Sequence, residues 1–250
     1  SRGDKKEMLL KFSSVFRQII FLIIPISAIS FILRAHLVRI VFGAGRFDWS
    51  ATKLTAACFG IFMLGLFAQG LIFLVSKAFY AMRNTKIPAL VSIASVATTI
   101  AFSYFFIWIL SFQNVFSNFL AAFLKIEGMQ NLTVVGLPFA ISLDAVLQLL
   151  LLLFFFKNKV GDFHAKEILS SFSKVLLATF LTIFFTYTIR QILSNYMTLE
   201  TFWEVFFQTV TAGGLGILFY FFVAFIFKSP EVVSLKNLIL SQMGFLSKRK

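Results

Sequence analysis

Six apolar stretches divide the chain, near residues 17–42, 54–79, 87–110, 132–156, 168–193 and 202–227. Each can cross a hydrocarbon core of roughly 30 Å, which takes about 20 helical residues. Lipid offers no water to pair backbone N–H and C=O groups, so a spanning segment must be a helix or part of a closed barrel. Barrel strands are roughly ten residues of alternating hydrophobicity, whereas these stretches are longer and uniformly apolar. The fold class that follows is all-α, a polytopic transmembrane bundle of about six spans.

Composition closes the alternative. Hydrophobic residues make up 59% of the 250 and charged residues only 13%, against roughly 25% charged in a soluble domain. Such a chain cannot cover a water-facing surface of its own size. The loops are short and the longest polar segments are terminal, so residues 1–250 read as a single transmembrane domain with no tandem repeat. The start, Ser1-Arg2-Gly3-Asp4, has no initiator Met and no signal-peptide pattern, and suggests a portion of a longer protein.

Charge orients the spans. The net +13 comes from 23 basic and 10 acidic residues. One side collects Arg2, Lys5, Lys6, Lys11, Lys77, Arg83, Lys86, Lys157, Lys159, Lys166 and the basic tail. The other has Arg34, Arg39, Arg46, Lys53, Lys125 and Arg190. The richer side is expected in the cytoplasm, with both termini there. The excess then marks cytoplasmic loops and contact with anionic lipid rather than nucleic acid. Cys58 is the only cysteine, and His36 and His164 stand far apart, so neither a disulfide framework nor a metal site is expected. No cofactor is implied. No spacing suggests a catalytic triad or a carboxylate pair, and the chain does not read as an enzyme.

A few residues break the apolar pattern. Arg17 stands eight residues before Pro25. It is either an interfacial anchor or a cavity cation whose fork of donors suits a diphosphate. Pro25 removes a backbone donor and should kink the first span. Asp144 is the deepest charge, half-way along the fourth span. It must face the bundle, a wet cavity or a cation. A structural hydrogen bond to a neighbouring helix is the leading reading; proton or cation coupling is the sharper one, with Arg190 as a candidate partner. Gln69 and Gln148 are expected inside their spans, as cavity or interhelical hydrogen-bonding groups. Gly60, Gly65, Gly70, Ala212 and Gly216 read as close-packing positions. Residues 112–124 are apolar but short and carry Gln113, Asn114, Ser117 and Asn118, and read as an interfacial helix rather than a seventh span, with a partly inserted segment as the alternative. In the turn-rich 43–53 loop, Asp48 or Ser50 is expected to cap the following helix, with Thr52 a weaker choice.

Three segments carry a resemblance. The run Pro25 to Phe42, then Gly43-Ala44-Gly45-Arg46-Phe47-Asp48, then Phe79-Tyr80-Ala81-Met82-Arg83-Asn84-Thr85-Lys86-Ile87-Pro88 resembles the second half of the MurJ/MviN family. These are bacterial lipid II flippases of the multidrug/oligosaccharidyl-lipid/polysaccharide exporter superfamily. Gly136-Leu137 through Ser142 is similar to a further stretch of that family. Asn84 stands where the family usually has Asp, and Ile87 where it has Thr. The specific part covers about 17–90; later spans agree in layout.

The resemblance implies one lobe of a two-lobed flippase plus trailing helices, in the bacterial inner membrane, with an N-terminal lobe missing from this chain. It implies a polyprenyl-diphosphate-linked sugar precursor as substrate, with Arg17 facing the diphosphate and Pro25 shaping the cavity-lining helix. Arg83, and Arg46 in the opposite loop, become gate or interface residues, and Asp144 a weak coupling candidate. Two other readings stay open: an exporter of another lipid-linked polysaccharide precursor, and a non-transporting membrane scaffold or assembly partner.

Overall fold

The structure is a computed structural model, describing residues 2–43, 49–128, 132–161, 163–196, 201–227 and 229–232. Among the described residues there are helices and turns but no strand. The first apolar stretch forms two helices, α1 (Arg2–Ile32) and α2 (Arg34–Phe42), instead of one. They meet at Leu33, whose turn conformation still carries the ladder from Ile29 to Leu37. Next come α3 (Trp49–Ala81), α4 (Lys86–Leu110), α5 (Val115–Leu124), α6 (Gly136–Val160), α7 (Ala165–Ser194) and α8 (Phe202–Ile226). A short 3-10 turn, Leu132–Val135, leads into α6. Six of these segments, beginning with Glu7–Ile32, are long and apolar enough to cross a membrane.

Their packing follows a row. Helix α4 lies against α6, α6 against α3, α3 against α1, and α1 against α7, with α8 closing on α7, α1 and α2. One end of the row is packed with aromatic rings. Phe12 of α1 meets Phe156 of α6 at 4.6 Å between centroids, and Phe79 of α3 and Phe163 flank the pair. Small residues permit the closest approaches. A Cβ on Gly65 would lie 2.9 Å from the Ser142 Cα, and there the Ser142 hydroxyl donates to the Ile61 carbonyl at 3.0 Å. A Cβ on Gly216 would collide with Thr186. Between helices in lipid, such contact replaces the hydrophobic drive that water would supply.

Helix α5 is too short to cross a membrane, at about 15 Å. Its start is a capping box: Asn114 Oδ1 accepts from Ser117 N at 2.7 Å, and Ser117 Oγ accepts from Asn114 N at 2.9 Å. It buries Leu120, Ala121 and Leu124 against Ala57 and Ile61 of α3. It ends with Lys125 at φ 58°. The Lys125 N–H donates to the Ala122 carbonyl and the Ile126 N–H to the Ala121 carbonyl, a Schellman closure. The turn from α3 to α4 closes the same way around Arg83 at φ 55°, with Arg83 N–H on Tyr80 and Asn84 N–H on Phe79. Asn84 Oδ1 then accepts from Ile87 N at 3.3 Å and caps α4. That task needs only an acceptor, so Asn serves where the resemblance expects Asp. At the other loop, Asp48 lies outside the described residues, and α3 begins at Trp49.

Pro25 is buried within α1, and the helix continues through it to Ile32. Proline has no N–H to give the carbonyl four residues back, which is that of Phe21. The Tyr220 hydroxyl of α8 supplies the missing donor, at 2.8 Å. Changing Tyr220→Phe should cost about 1 kcal/mol of stability, read by denaturant unfolding in detergent. In a Pro25→Ala background, position 25 regains a backbone N–H for the Phe21 carbonyl, and the Tyr220→Phe cost should fall to near zero. Equal costs in both backgrounds would mean that the hydroxyl does not serve the proline-freed carbonyl.

Candidate functional site

Arg17 projects from α1 towards α7 and the segment after α8. Its side chain is 21% exposed, and its Nη1 lies 3.3 Å from Glu167 Oε2. Its Nε lies 3.7 Å from Oε1 of Glu231, a side chain 3% exposed. The Ser171 hydroxyl donates to the same Glu231 oxygen at 2.8 Å. A shallow cavity of about 330 Å³ opens beside this group, rimmed by Lys166, Ser170, Lys174 and Pro230. Arg17 is therefore neither a lone interfacial anchor nor a bare cavity cation. It ties three elements together through two carboxylates. Its buried partner, Glu231, also accepts from Ser171; the Glu167 partner, 54% exposed, is free to exchange, since exposed pairs are held by little energy. Neither glutamate stood out in the sequence, because Glu167 reads as a first-turn acid of α7 and Glu231 as part of a polar tail.

Asp144 is 4% exposed on α6. It accepts from the Ser95 and Thr98 hydroxyls of α4, one to each carboxylate oxygen. One turn further along α6, Gln148 Nε2 donates to Ser92 Oγ at 3.4 Å. The three α4 hydroxyls thus form a polar seam that fixes the register of α4 on α6. Arg190 is not the partner of Asp144. It lies on α7, stacked on Tyr187 at 5.0 Å, and its carbonyl accepts from Gln208 at 3.2 Å. Gln69 is exposed on α3, not placed between helices, and has no hydrogen bond among the described residues. Arg83 is exposed in its turn, and Arg46 lies outside the described residues. The candidates are thus dispersed: Arg17 and Pro25 share α1, and the others stand apart.

A group of three or more metal-ligating side chains does not occur among the described residues. Residues 1–207 match the family described as lipid II flippase MurJ. The chain belongs to that family. Compared with curated proteins, it has no match. As a MurJ-family chain with six span-length helices it is a multi-pass inner-membrane protein, of a family of transporters and not of catalysts. The matched residues stop inside α8, before the three side chains that fasten this segment. These are Gln208, whose Oε1 pairs with His36 Nε2 at 3.2 Å, Tyr220 on Phe21, and Glu231 on Arg17 and Ser171.

Asp144→Asn keeps an acceptor for one hydroxyl and should change stability by less than about 1 kcal/mol, whereas Asp144→Leu should cost about 1–2 kcal/mol. Transport by Asp144→Asn should follow the wild-type pH profile; a displaced profile would make the carboxylate a coupling group instead.

Proposed function

We propose that this chain, as part of a full-length transporter, flips a polyprenyl-diphosphate-linked peptidoglycan precursor, lipid II, across the cytoplasmic membrane. The family match over residues 1–207 carries this reading, and the setting of Arg17 supports it. In this reading residues 1–250 form a C-terminal lobe with trailing helices. It works against an N-terminal lobe of the same protein, with both ends of the chain in the cytoplasm.

The physical task is to move a diphosphate and its sugar headgroup past hydrocarbon, which needs a charged, wet path and two access states. Arg17 supplies a planar fork of donors that suits phosphate oxygens better than a lysine ammonium does. In the structure one arm of that fork rests on Glu167. An arriving diphosphate carries more negative charge than a carboxylate and displaces Glu167, while Glu231 keeps the guanidinium in place. Lys166 and Lys174 on the rim draw the anion in. Pro25 shapes the helix above this site. Gln69, exposed on α3, is a further polar group for the substrate, and Arg83 and Arg46 serve the inner and outer gates. A membrane potential or ion gradient supplies the driving force.

The test is precursor export by the full-length protein carrying Arg17→Ala or Arg17→Lys. Arg17→Ala should reduce export by more than roughly tenfold, the worth of one strong charge-assisted contact. Arg17→Lys should fall between, since it keeps the charge and loses the fork. Unchanged export in Arg17→Ala would remove Arg17 from the substrate path. Export of a different lipid-linked saccharide in preference to lipid II would redirect the substrate assignment.

A further inference from the structure

The bundle end opposite Arg17 holds a second charged site that the flipping mechanism does not use. Arg34 and Arg17 are 17 residues apart on nearly continuous helices, about 25 Å along the axis. In the orientation proposed above, this end is the outer face. A cavity of about 340 Å³ opens there, between the start of α2, the start of α3, the end of α5 and the end of α7. Four cations line it: Arg34, Lys53, Lys125 and Arg190. They come from four separate parts of the sequence. Among the described residues its lining contains no carboxylate.

The cations are held without acidic partners among the described residues. Arg34 donates through Nη1 to the Phe31 carbonyl at 3.0 Å and through Nη2 to the Leu124 carbonyl at 3.1 Å. Its guanidinium lies 4.6 Å from the Phe31 ring centroid. Its stem rests on Gly60, where a Cβ would lie 2.8 Å from Arg34 Cδ. Lys53 lies 5.7 Å from the Trp49 ring, which Arg39 also approaches at 5.7 Å, and Arg190 stacks on Tyr187. Aromatic faces and carbonyl oxygens stabilise a cation without neutralising it. The positive charge therefore remains available to a ligand.

The orientation rule makes this arrangement costly to explain as chance. Basic residues are depleted on the outer side of a membrane protein. Yet the described basic residues of this side gather around one cavity: four line it, and Arg39 shares Trp49 with Lys53. Phe31, Trp49, Phe123 and Tyr187 supply apolar walls beside them, and Trp and Tyr are the aromatic residues of the headgroup zone. Cations within an aromatic rim suit an anion that carries a hydrocarbon chain.

We propose that this cavity binds a phosphate or diphosphate group at the outer face of the membrane. Lys53, Lys125 and Arg190 contact the anion, and Arg34 fixes the floor. Two sources share that chemistry, a membrane lipid headgroup and a free phosphate. The assignment concerns binding at this end alone and does not require that the chain flip a lipid.

The test uses full-length protein in nanodiscs and native mass spectrometry. The probes are phosphatidylglycerol, a polyprenyl diphosphate and inorganic diphosphate. Lys53 and Lys125 are exposed, so Lys53→Gln with Lys125→Gln should leave the fold intact, as checked by thermal unfolding. At least tenfold weaker binding of one or more probes in this double variant is expected, with added salt weakening the wild type alike. Loss confined to the two lipids assigns the site to a lipid headgroup. Loss that includes inorganic diphosphate shows that the phosphate group suffices. Equal binding of all three probes by wild type and the folded double variant would overturn the proposal. Lys157→Gln with Lys159→Gln, two exposed cations in the last turn of α6 and outside both charged sites, is the charge-matched reference and should leave binding of all three probes unchanged.

Discussion

Every backbone amide that enters lipid must find its partner inside the protein, and this requirement organises the molecule. It makes each long apolar stretch a helix, because only a helix satisfies its own ladder. It also makes any break in a ladder an obligation for a neighbour. Pro25 creates such a break in α1, and the Phe21 carbonyl it leaves is met by the Tyr220 hydroxyl of α8. A local property of one residue thereby determines where a helix nearly 200 positions away has to sit.

The same logic governs the side chains. Leu and Phe gain little by preferring one another to lipid tails, so helices are placed by close contact and by polar groups that need partners. Gly65 lets α3 approach the Ser142 backbone, Asp144 gathers the hydroxyls of α4, and Gln208 reaches both His36 and the Arg190 carbonyl. These polar contacts are few, but each joins different helices. Together with the proline-freed carbonyl they fasten α8 to α1, α2 and α7, although most of α8 lies beyond the residues that match the MurJ family.

Charge is arranged in two ways at the two ends of the bundle. Around Arg17 the carboxylates of Glu167 and Glu231 balance the cation. At the other end Arg34, Lys53 and Arg190 rest on rings and carbonyls, with no carboxylate among the described lining residues. The first arrangement favours exchange of a partner, because a displaced glutamate can return. The second favours uptake of an anion, because no resident anion has to leave.

Hydropathy was sufficient for the class of the protein, the six spans and the short helix α5, since these depend on composition and length within one segment. The family segments were legible because a helix–turn–helix motif such as Phe79 to Pro88 is local. What the sequence could not supply was pairing. Asp144 was visible as a costly charge, but its partners Ser95 and Thr98 are small hydroxyls that look ordinary in a span. Gln69, expected inside, is exposed, because one polar residue does not say which way a helix is turned. Glu231 looks like a surface residue until the fold lays it on Arg17. The sequence by itself thus determined that the chain crosses a membrane as helices, through the cost of unpaired amides in lipid. Only the tertiary structure decided which charges meet, because that depends on the rotation and register of helices set by packing at Gly65, Gly216 and the carbonyl freed by Pro25.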